Sequence, residues 1–192
     1  MNIEVSIGEV IDKYSILELK QKKIKDPVKL IEINKELDAL QKCKTIINNN
    51  KYYYKLLLYV NEKIWDMTDQ IKIMDSSWTY EYATISKYIF DYNQKRFRIK
   101  RIFNITSNLK EQKSYAETCC NIIIKDYQTA LNKIPEINYL SIEYDLIIID
   151  DSYKYIFPHI TNFTQLNKSI ISHVIDINDL CLDDKEIVIF NF

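Results

Sequence analysis

The sequence predicts an α+β protein: an N-terminal helical domain with a long antiparallel helix hairpin, followed by a small α/β region of about three strands. Apolar residues recur every three or four positions through the first two-thirds, as in amphipathic helices. Aliphatic runs such as residues 144–151 then indicate buried strands. At 47% hydrophobic and 28% charged, the 192-residue chain falls in the globular class. We expect a helical domain over 1–118 and an α/β region over 119–192.

The first two helices have recognisable start signals. Ser6 and Glu9 form an S-x-x-E capping box, which predicts a first helix over residues 7–25. Asp26 followed by Pro27 places an N-cap residue before a proline at the first helical position, so a second helix begins there.

The second and third helices are predicted to form the hairpin, joined by a turn at Asn48–Asn50. Both carry apolar seams with steps of three and four residues, a pattern typical of coiled-coil-like pairs. The seam residues are Leu30, Ile33, Leu37, Leu40, Ile47, Leu57, Val60, Ile64, Met67 and Ile71. We expect the first helix to pack across this hairpin.

A fourth helix and a basic helix follow. Ser76 and Ser77 would cap the fourth helix, and a kink or short turn near Tyr92–Asn93 would separate it from the basic one. The basic residues are Lys95, Arg96, Arg98, Lys100 and Arg101. With a net charge of -1, the sequence favours a solvated face paired with Glu36, Asp66 or Asp69 over contact with a phosphate or nucleic acid.

The last third changes character. Residues 119–134 keep helical spacing, but the β-branched triple Ile122–Ile124 leaves a strand–loop–helix as an alternative. Residues 144–151, 170–175 and 186–190 are predicted strands. The first ends in Asp150 and Asp151, at the position where open α/β sheets bind ligands. Because no glycine-rich loop precedes them, we favour a structural role for this region.

Several function classes are excluded by composition. One glycine cannot supply a P-loop or a dinucleotide-binding fingerprint. The four cysteines have no C-x-x-C spacing, so we predict no metal and no cofactor. No apolar run approaches the ~18 residues of a membrane span, and no secretory signal is evident, so we expect a cytoplasmic protein, in the host cytoplasm if viral.

Four sequence blocks resemble an uncharacterised domain family of bacteria and some large viruses. Residues 5–20 read VSIGEVIDKYSILELK and are similar to the family opening V-S-x-G-E-x-[IL]-D-K-x-[ST]-I-L-E-[IL]-K. Residues 61–72, 99–104 and 111–115 resemble N-x-x-L-W-x-[IL]-E-D-x-I-R, I-K-R-x-I-N and E-x-K-S-Y. The blocks occur in family order within about residues 1–118.

The resemblance implies a helical fold without an established activity. Genes of this family often lie beside glycosyltransferase genes, which implies a role in glycan or surface-polysaccharide assembly. Thr68 stands where the family usually has Glu, and Lys72 where it has Arg, so a Glu–Arg pair of the family would be lost here.

The blocks also supply candidate ligand-binding residues. These are Asp12, Lys13, Trp65, Asp66, Asp69, Lys100 and Arg101, besides Asp150 and Asp151. They would form either a sugar pocket, with Trp65 stacking on a sugar ring, or a buried charge cluster that fixes helix register around a core tryptophan.

The predicted function is a non-catalytic accessory or interaction module of glycan assembly. We expect a protein partner or a homo-oligomer, with a sugar or nucleotide sugar as the small-molecule ligand. The alternative is an enzyme acting on an activated sugar, with acids from the helical domain or from Asp150 and Asp151. Nucleic acid and membrane are not expected partners.

Overall fold

The computed structural model describes residues 4–74, 79–104, 118–158, 160, 163–164 and 187–191. The chain divides into two units, Met1–Glu111 and Gln112–Phe192. Independent folding of residues 1–118, the predicted helical domain, stays a prediction.

The described part of the first unit is helical. Its elements are α1 (Ile7–Lys23), α2 (Pro27–Ala39), α3 (Lys44–Asn49), α4 (Lys51–Ile73) and α5 (Tyr80–Phe103). The predicted starts of α1 and α2 are confirmed: Ser6 Oγ accepts the Glu9 N–H at 3.3 Å, and the Asp26 carboxylate accepts the Val28 N–H at 2.9 Å.

The predicted hairpin is correct in kind but wrong in its partners. A 3₁₀ turn at Gln41–Cys43 interrupts the predicted second helix, and α2 buries only Ile33 and Leu37, packing mainly on α1. The long hairpin is instead formed by α4 and α5. The rings of Tyr59 and Tyr92 lie 6.4 Å apart, and the short connection after α4 then requires an antiparallel arrangement.

The predicted break inside the fourth helix is also wrong. α5 runs without interruption from Tyr80 to Phe103, and the Asn93 side-chain amide donates to the Ile89 carbonyl at 2.9 Å within it. The N-cap is Thr79, whose hydroxyl accepts the Tyr82 N–H; Ser76 and Ser77 lie outside the described residues. The basic segment is therefore the last part of a helix whose residues 97–100 are buried.

The second unit contains a parallel sheet. Its described elements are β1 (Cys119–Ile123), α6 (Tyr127–Asn132), α7 (Ile134–Glu143), β2 (Leu146–Asp150), β3 (Phe163–Thr164) and β4 (Ile187–Asn191). The strand order is β3-β2-β1-β4. The strand–loop–helix alternative for 119–134 is confirmed, as are the strands predicted at 144–151 and 186–190. The predicted strand at 170–175 lies outside the described residues.

The described sheet differs from the predicted one in size. It has four strands: β2 and β4 were predicted, β1 is the strand of the alternative for 119–134, and the two-residue β3 is too short to have a sequence pattern. Its core is aliphatic and aromatic, as expected for parallel strands covered by helices. The fully buried side chains of this core are Cys120, Ala130, Ile137, Ile149 and Phe157.

Among the described helices, none combines the length and the hydropathy that a membrane span needs.

Candidate functional site

The single glycine of the chain brings the start of α1 against the end of α5. A Cβ at Gly8 would lie 2.5 Å from the backbone oxygen of Lys100 and 3.0 Å from the Asn104 side chain. The Gly8 N–H donates to Asn104 Oδ1 at 2.6 Å. Only glycine therefore permits this approach, and the approach leaves the next turn of α1 facing α5.

A buried carboxylate joins three helices one turn further along α1. Asp12 is 2% exposed, and its two oxygens accept hydrogen bonds from Arg96 Nε at 2.9 Å and Nη2 at 2.6 Å. Asn61 Nδ2 of α4 also donates to Asp12 Oδ1 at 3.0 Å. Such a bidentate, charge-assisted pair offsets the cost of burying the carboxylate and fixes the guanidinium in position.

Asn61 is buried at the centre of this network. Its Nδ2 donates to Ser15 Oγ at 2.8 Å as well as to Asp12, and the Ser15 hydroxyl donates to the Asp12 carbonyl at 2.7 Å. Asn61 is 4% exposed, yet its Oδ1 accepts no hydrogen bond from the part of the chain that the structure describes. The amide oxygen is not one of the fully buried unpaired atoms of the described residues, so it keeps accessible surface and can accept a hydrogen bond from a ligand.

The network forms one wall of a cleft of about 190 Å³ between α1, α4 and α5. The lining residues are Ile16, Leu19, Asn61, Ile64, Trp65, Thr68, Asp69, Lys72 and Arg96. Trp65 is half-buried, and its indole N–H has no partner among the described residues. Lys72 Nζ donates to Asp69 Oδ1 at 3.0 Å. An aromatic ring, a buried amide and a carboxylate thus converge on one small space.

Two of the predicted ligand-binding residues, Trp65 and Asp69, line this cleft. Asp12 acts behind the lining, by holding Arg96. Thr68 and Lys72, which depart from the resembled family pattern, also face the cleft, and the Thr68 hydroxyl donates to the Ile64 carbonyl at 2.7 Å.

The other predicted residues of the helical unit do not line the cleft. Lys13 pairs with Glu36 at 2.7 Å, which lowers the pKa of Glu36. Lys23 donates to Asp66 at 2.5 Å, which raises the pKa of Lys23. Lys100 pairs with Glu9 at 2.6 Å, whereas Arg101 lies half-buried near the end of α5.

The strand-end acids of the second unit have local contacts. Asp150 accepts the Ser152 N–H at 2.8 Å and so caps the short turn Asp151–Tyr153. Asp151 lies 3.7 Å from Lys154. Within the described residues, no group of three or more acids, cysteines or histidines has the arrangement of a metal site.

The expected partners of the basic segment are wrong. Glu36, Asp66 and Asp69 pair with lysines on α1 and α4, while Arg96 and Lys100 reach acids on α1. Arg96 and Asn61 were not predicted as site residues. Both stood in or beside recognised sequence blocks, but no local signal connects either one to Asp12.

Comparison with known proteins gives a family and no activity. A family model described as a family of unknown function (DUF6165) matches residues 1–130. The match extends beyond the helical unit to include β1 and most of α6. No curated protein and no solved structure matches the chain. Since the family model covers well over half of the sequence, the chain belongs to the DUF6165 family, whose function is unknown.

Proposed function

We propose that this protein is a non-catalytic accessory module of glycan assembly whose helical unit binds a saccharide in the α1–α4–α5 cleft. One observation carries the proposal: the half-buried indole of Trp65 shares a small cleft with Asn61, a buried amide that has an unused acceptor. The proposed link to glycan assembly rests on the resemblance of the four sequence blocks to a family whose genes often lie beside glycosyltransferase genes.

The chemistry of the cleft suits a sugar ring. An aromatic side chain supplies a flat apolar surface for ring C–H groups, while its N–H donates to an oxygen. Amide and carboxylate oxygens accept hydrogen bonds from hydroxyl groups. The cleft volume of about 190 Å³ equals roughly six water molecules at ~30 Å³ each, which is the scale of one monosaccharide. Pockets for drug-sized ligands are larger, at about 300–1,000 Å³.

A binding role fits the acids better than a catalytic one. Glycoside hydrolysis ordinarily needs two carboxyl groups flanking the scissile bond. Asp69 is the one carboxylate among the described lining residues, and it is paired with Lys72. Asp12 is already bound by Arg96 and Asn61. Protein partners or a homo-oligomer remain part of this proposal as the means by which a binding module would act in assembly.

The proposal is tested by calorimetric titration of the full chain with mono- and oligosaccharides. Trp65→Ala should weaken binding of the best ligand at least about tenfold, which corresponds to ~1.4 kcal/mol. Tyr88→Ala removes another aromatic ring, 53% exposed and on α5, that does not line the cleft; its affinity should match wild type.

Two results would contradict the proposal. The first is binding that is equally strong in Trp65→Ala and wild type. The second is turnover of a nucleotide sugar, followed by NMR of the sugar mixture, that is lost in Asp69→Asn. The second result would establish the alternative, an enzyme acting on an activated sugar.

A further inference from the structure

We infer that the cleft selects an uncharged sugar ring and discriminates against uronates, sugar phosphates and nucleotide sugars. This inference rests on the proposed saccharide-binding function and adds the chemical class of the ligand. It follows from how the charges and the hydrogen-bonding groups of the cleft are arranged.

Each of the two cations among the described lining residues is paired with an acid. Both hydrogen bonds from Arg96 to Asp12 are short, and the Asp12 side chain is 4% exposed, so the carboxylate remains beside the guanidinium. Lys72 is held 3.0 Å from Asp69 at the exposed side. An anionic ligand approaching either cation would also approach the paired carboxylate, and like-charge repulsion would oppose the attraction.

Besides the N–H groups of its paired cations, the described lining of the cleft offers hydrogen-bonding groups that a sugar ring can use. Asn61 Oδ1 and the second carboxylate oxygen of Asp69 accept no hydrogen bonds from the described residues, and Trp65 offers a single N–H donor. Hydroxyl groups can donate to both acceptors, and a ring or hydroxyl oxygen can accept from the indole. A carboxylate or phosphate entering the cleft would lose hydrating water and would meet only cations that already have an acid partner, and burying a charge without a new partner is costly.

This selectivity indicates which component of a sugar-transfer reaction the cleft would bind. Nucleotide-activated donors carry a diphosphate, whereas the acceptor or product glycan presents neutral rings. The inferred ligand is therefore an uncharged sugar unit of the acceptor or product.

The inference is tested by titrating the full chain with three probes: methyl hexopyranosides, the corresponding hexuronates, and uridine-diphosphate hexoses. The neutral glycosides should bind at least about tenfold more tightly than either anionic class. Their affinity should change less than about twofold between low salt and 1 M salt, because no net charge is exchanged on binding.

A variant of the cleft sharpens the test. Asp69→Asn leaves Lys72 without its acid, and the ratio of hexuronate to glycoside affinity should rise at least about fivefold. The matched control is Glu32→Gln, which breaks an exposed Lys–acid pair of the same i,i+3 spacing on α2, at 2.7 Å from Lys35; its ratio should equal that of wild type.

The outcomes separate the two proposals. If hexuronates or nucleotide sugars bind wild type more tightly than the neutral glycosides, and Trp65→Ala abolishes that binding, the cleft binds saccharides but the inferred selectivity is wrong. An unchanged affinity ratio in Asp69→Asn also contradicts the selectivity. Failure of all three probes to bind overturns the proposed function itself.

Discussion

The interior of the helical unit combines an apolar core with buried polar groups, whereas the described interior of the sheet unit is almost entirely aliphatic and aromatic. In the helical unit, buried polar residues from α1, α4 and α5 contact one another across long stretches of sequence. They include Asp12, Ser15 and Asn61, and Arg96 of α5 donates to Asp12. The described core of the sheet unit packs Cys120, Ile122, Ile149 and Phe157 together, and the side-chain oxygen of its buried Asn121 accepts no hydrogen bond from the described residues.

The difference shows what each kind of interior specifies. Hydrogen bonds are directional, so the contacts of Asp12 with Arg96 and Asn61 fix the relative rotation of three helices. Aliphatic contacts constrain volume and burial and leave direction less defined. The cleft lies in the helical unit, where hydrogen bonds hold a few polar groups in the positions needed to recognise a ligand.

The largest expected effect concerns the sheet unit. Phe157 is 0% exposed in its core, and Phe157→Ala should destabilise that unit by about 3–5 kcal/mol through lost burial and a new cavity. Hydrogen–deuterium exchange should become fast in β1 and β2, while α4 remains protected. Equal loss of protection in α4 would show that the two units unfold as one, contrary to the comparison.

The next effect concerns the buried carboxylate of the helical unit. Asp12→Ala removes the acceptor of Arg96 and of Asn61, and should lower the free energy of unfolding by about 2–4 kcal/mol, because both donors are left partly desolvated. Urea unfolding followed by tryptophan fluorescence measures it, since Trp65 lies on α4 of this unit. The exposed Asp38→Ala on α2 serves as control, and an equal loss in the control would contradict the role of Asp12.

A smaller effect is expected at the contact of α1 with α5. Alanine normally improves a helix by about 1 kcal/mol over glycine. At Gly8 the added Cβ would lie 2.5 Å from the backbone oxygen of Lys100, which cannot rotate away. Gly8→Ala should therefore destabilise the helical unit by about 1–3 kcal/mol, measured by thermal unfolding. A higher midpoint of thermal unfolding in Gly8→Ala would show that helix propensity dominates and that α1 does not approach α5 closely at this position.

The smallest effect depends on pH. Burial, together with the hydrogen bond that Tyr54 donates to Glu18 at 2.8 Å, raises the pKa of Tyr54 above its usual value near 10. The unfolded chain ionises first as pH rises, so the contribution of Tyr54 to stability is complete below about pH 10 and is lost above it. Tyr54→Phe should cost about 1 kcal/mol at pH 7 and show less alkaline destabilisation than wild type. Parallel pH profiles for the two proteins would contradict this assignment.

Local signals predicted much of the secondary structure. Ser6, Asp26 and Pro27 act on their own neighbourhood, so the starts of α1 and α2 were readable from the sequence. The strand β2 was predictable for the same reason, because its signal is an aliphatic run within the strand itself. The partner of α4 in the hairpin could not be predicted from the sequence. Both α2 and α4 have apolar residues at three- and four-residue steps, so the spacing made them look like partners, and the difference lies in the wider buried face of α4.

The candidate site was predicted in part for a related reason. Trp65 and Asp69 lie on one face of α4, so their proximity follows from helix geometry. The pairing of Arg96 with Asp12 joins residues 84 positions apart. Neighbouring cations in the same helix offered equivalent charges, and spacing along α5 does not reveal which of them faces α1.

The most direct test of saccharide binding is the indole N–H resonance of Trp65 in a ¹⁵N–¹H NMR titration. The chain has two tryptophans, so a Trp78→Phe variant assigns the Trp65 signal without ambiguity. Titration with a neutral glycoside should shift this signal saturably, because the indole N–H has no partner in the described structure and would donate to the ligand. A signal that stays fixed while the ligand binds would show that saccharide recognition occurs elsewhere.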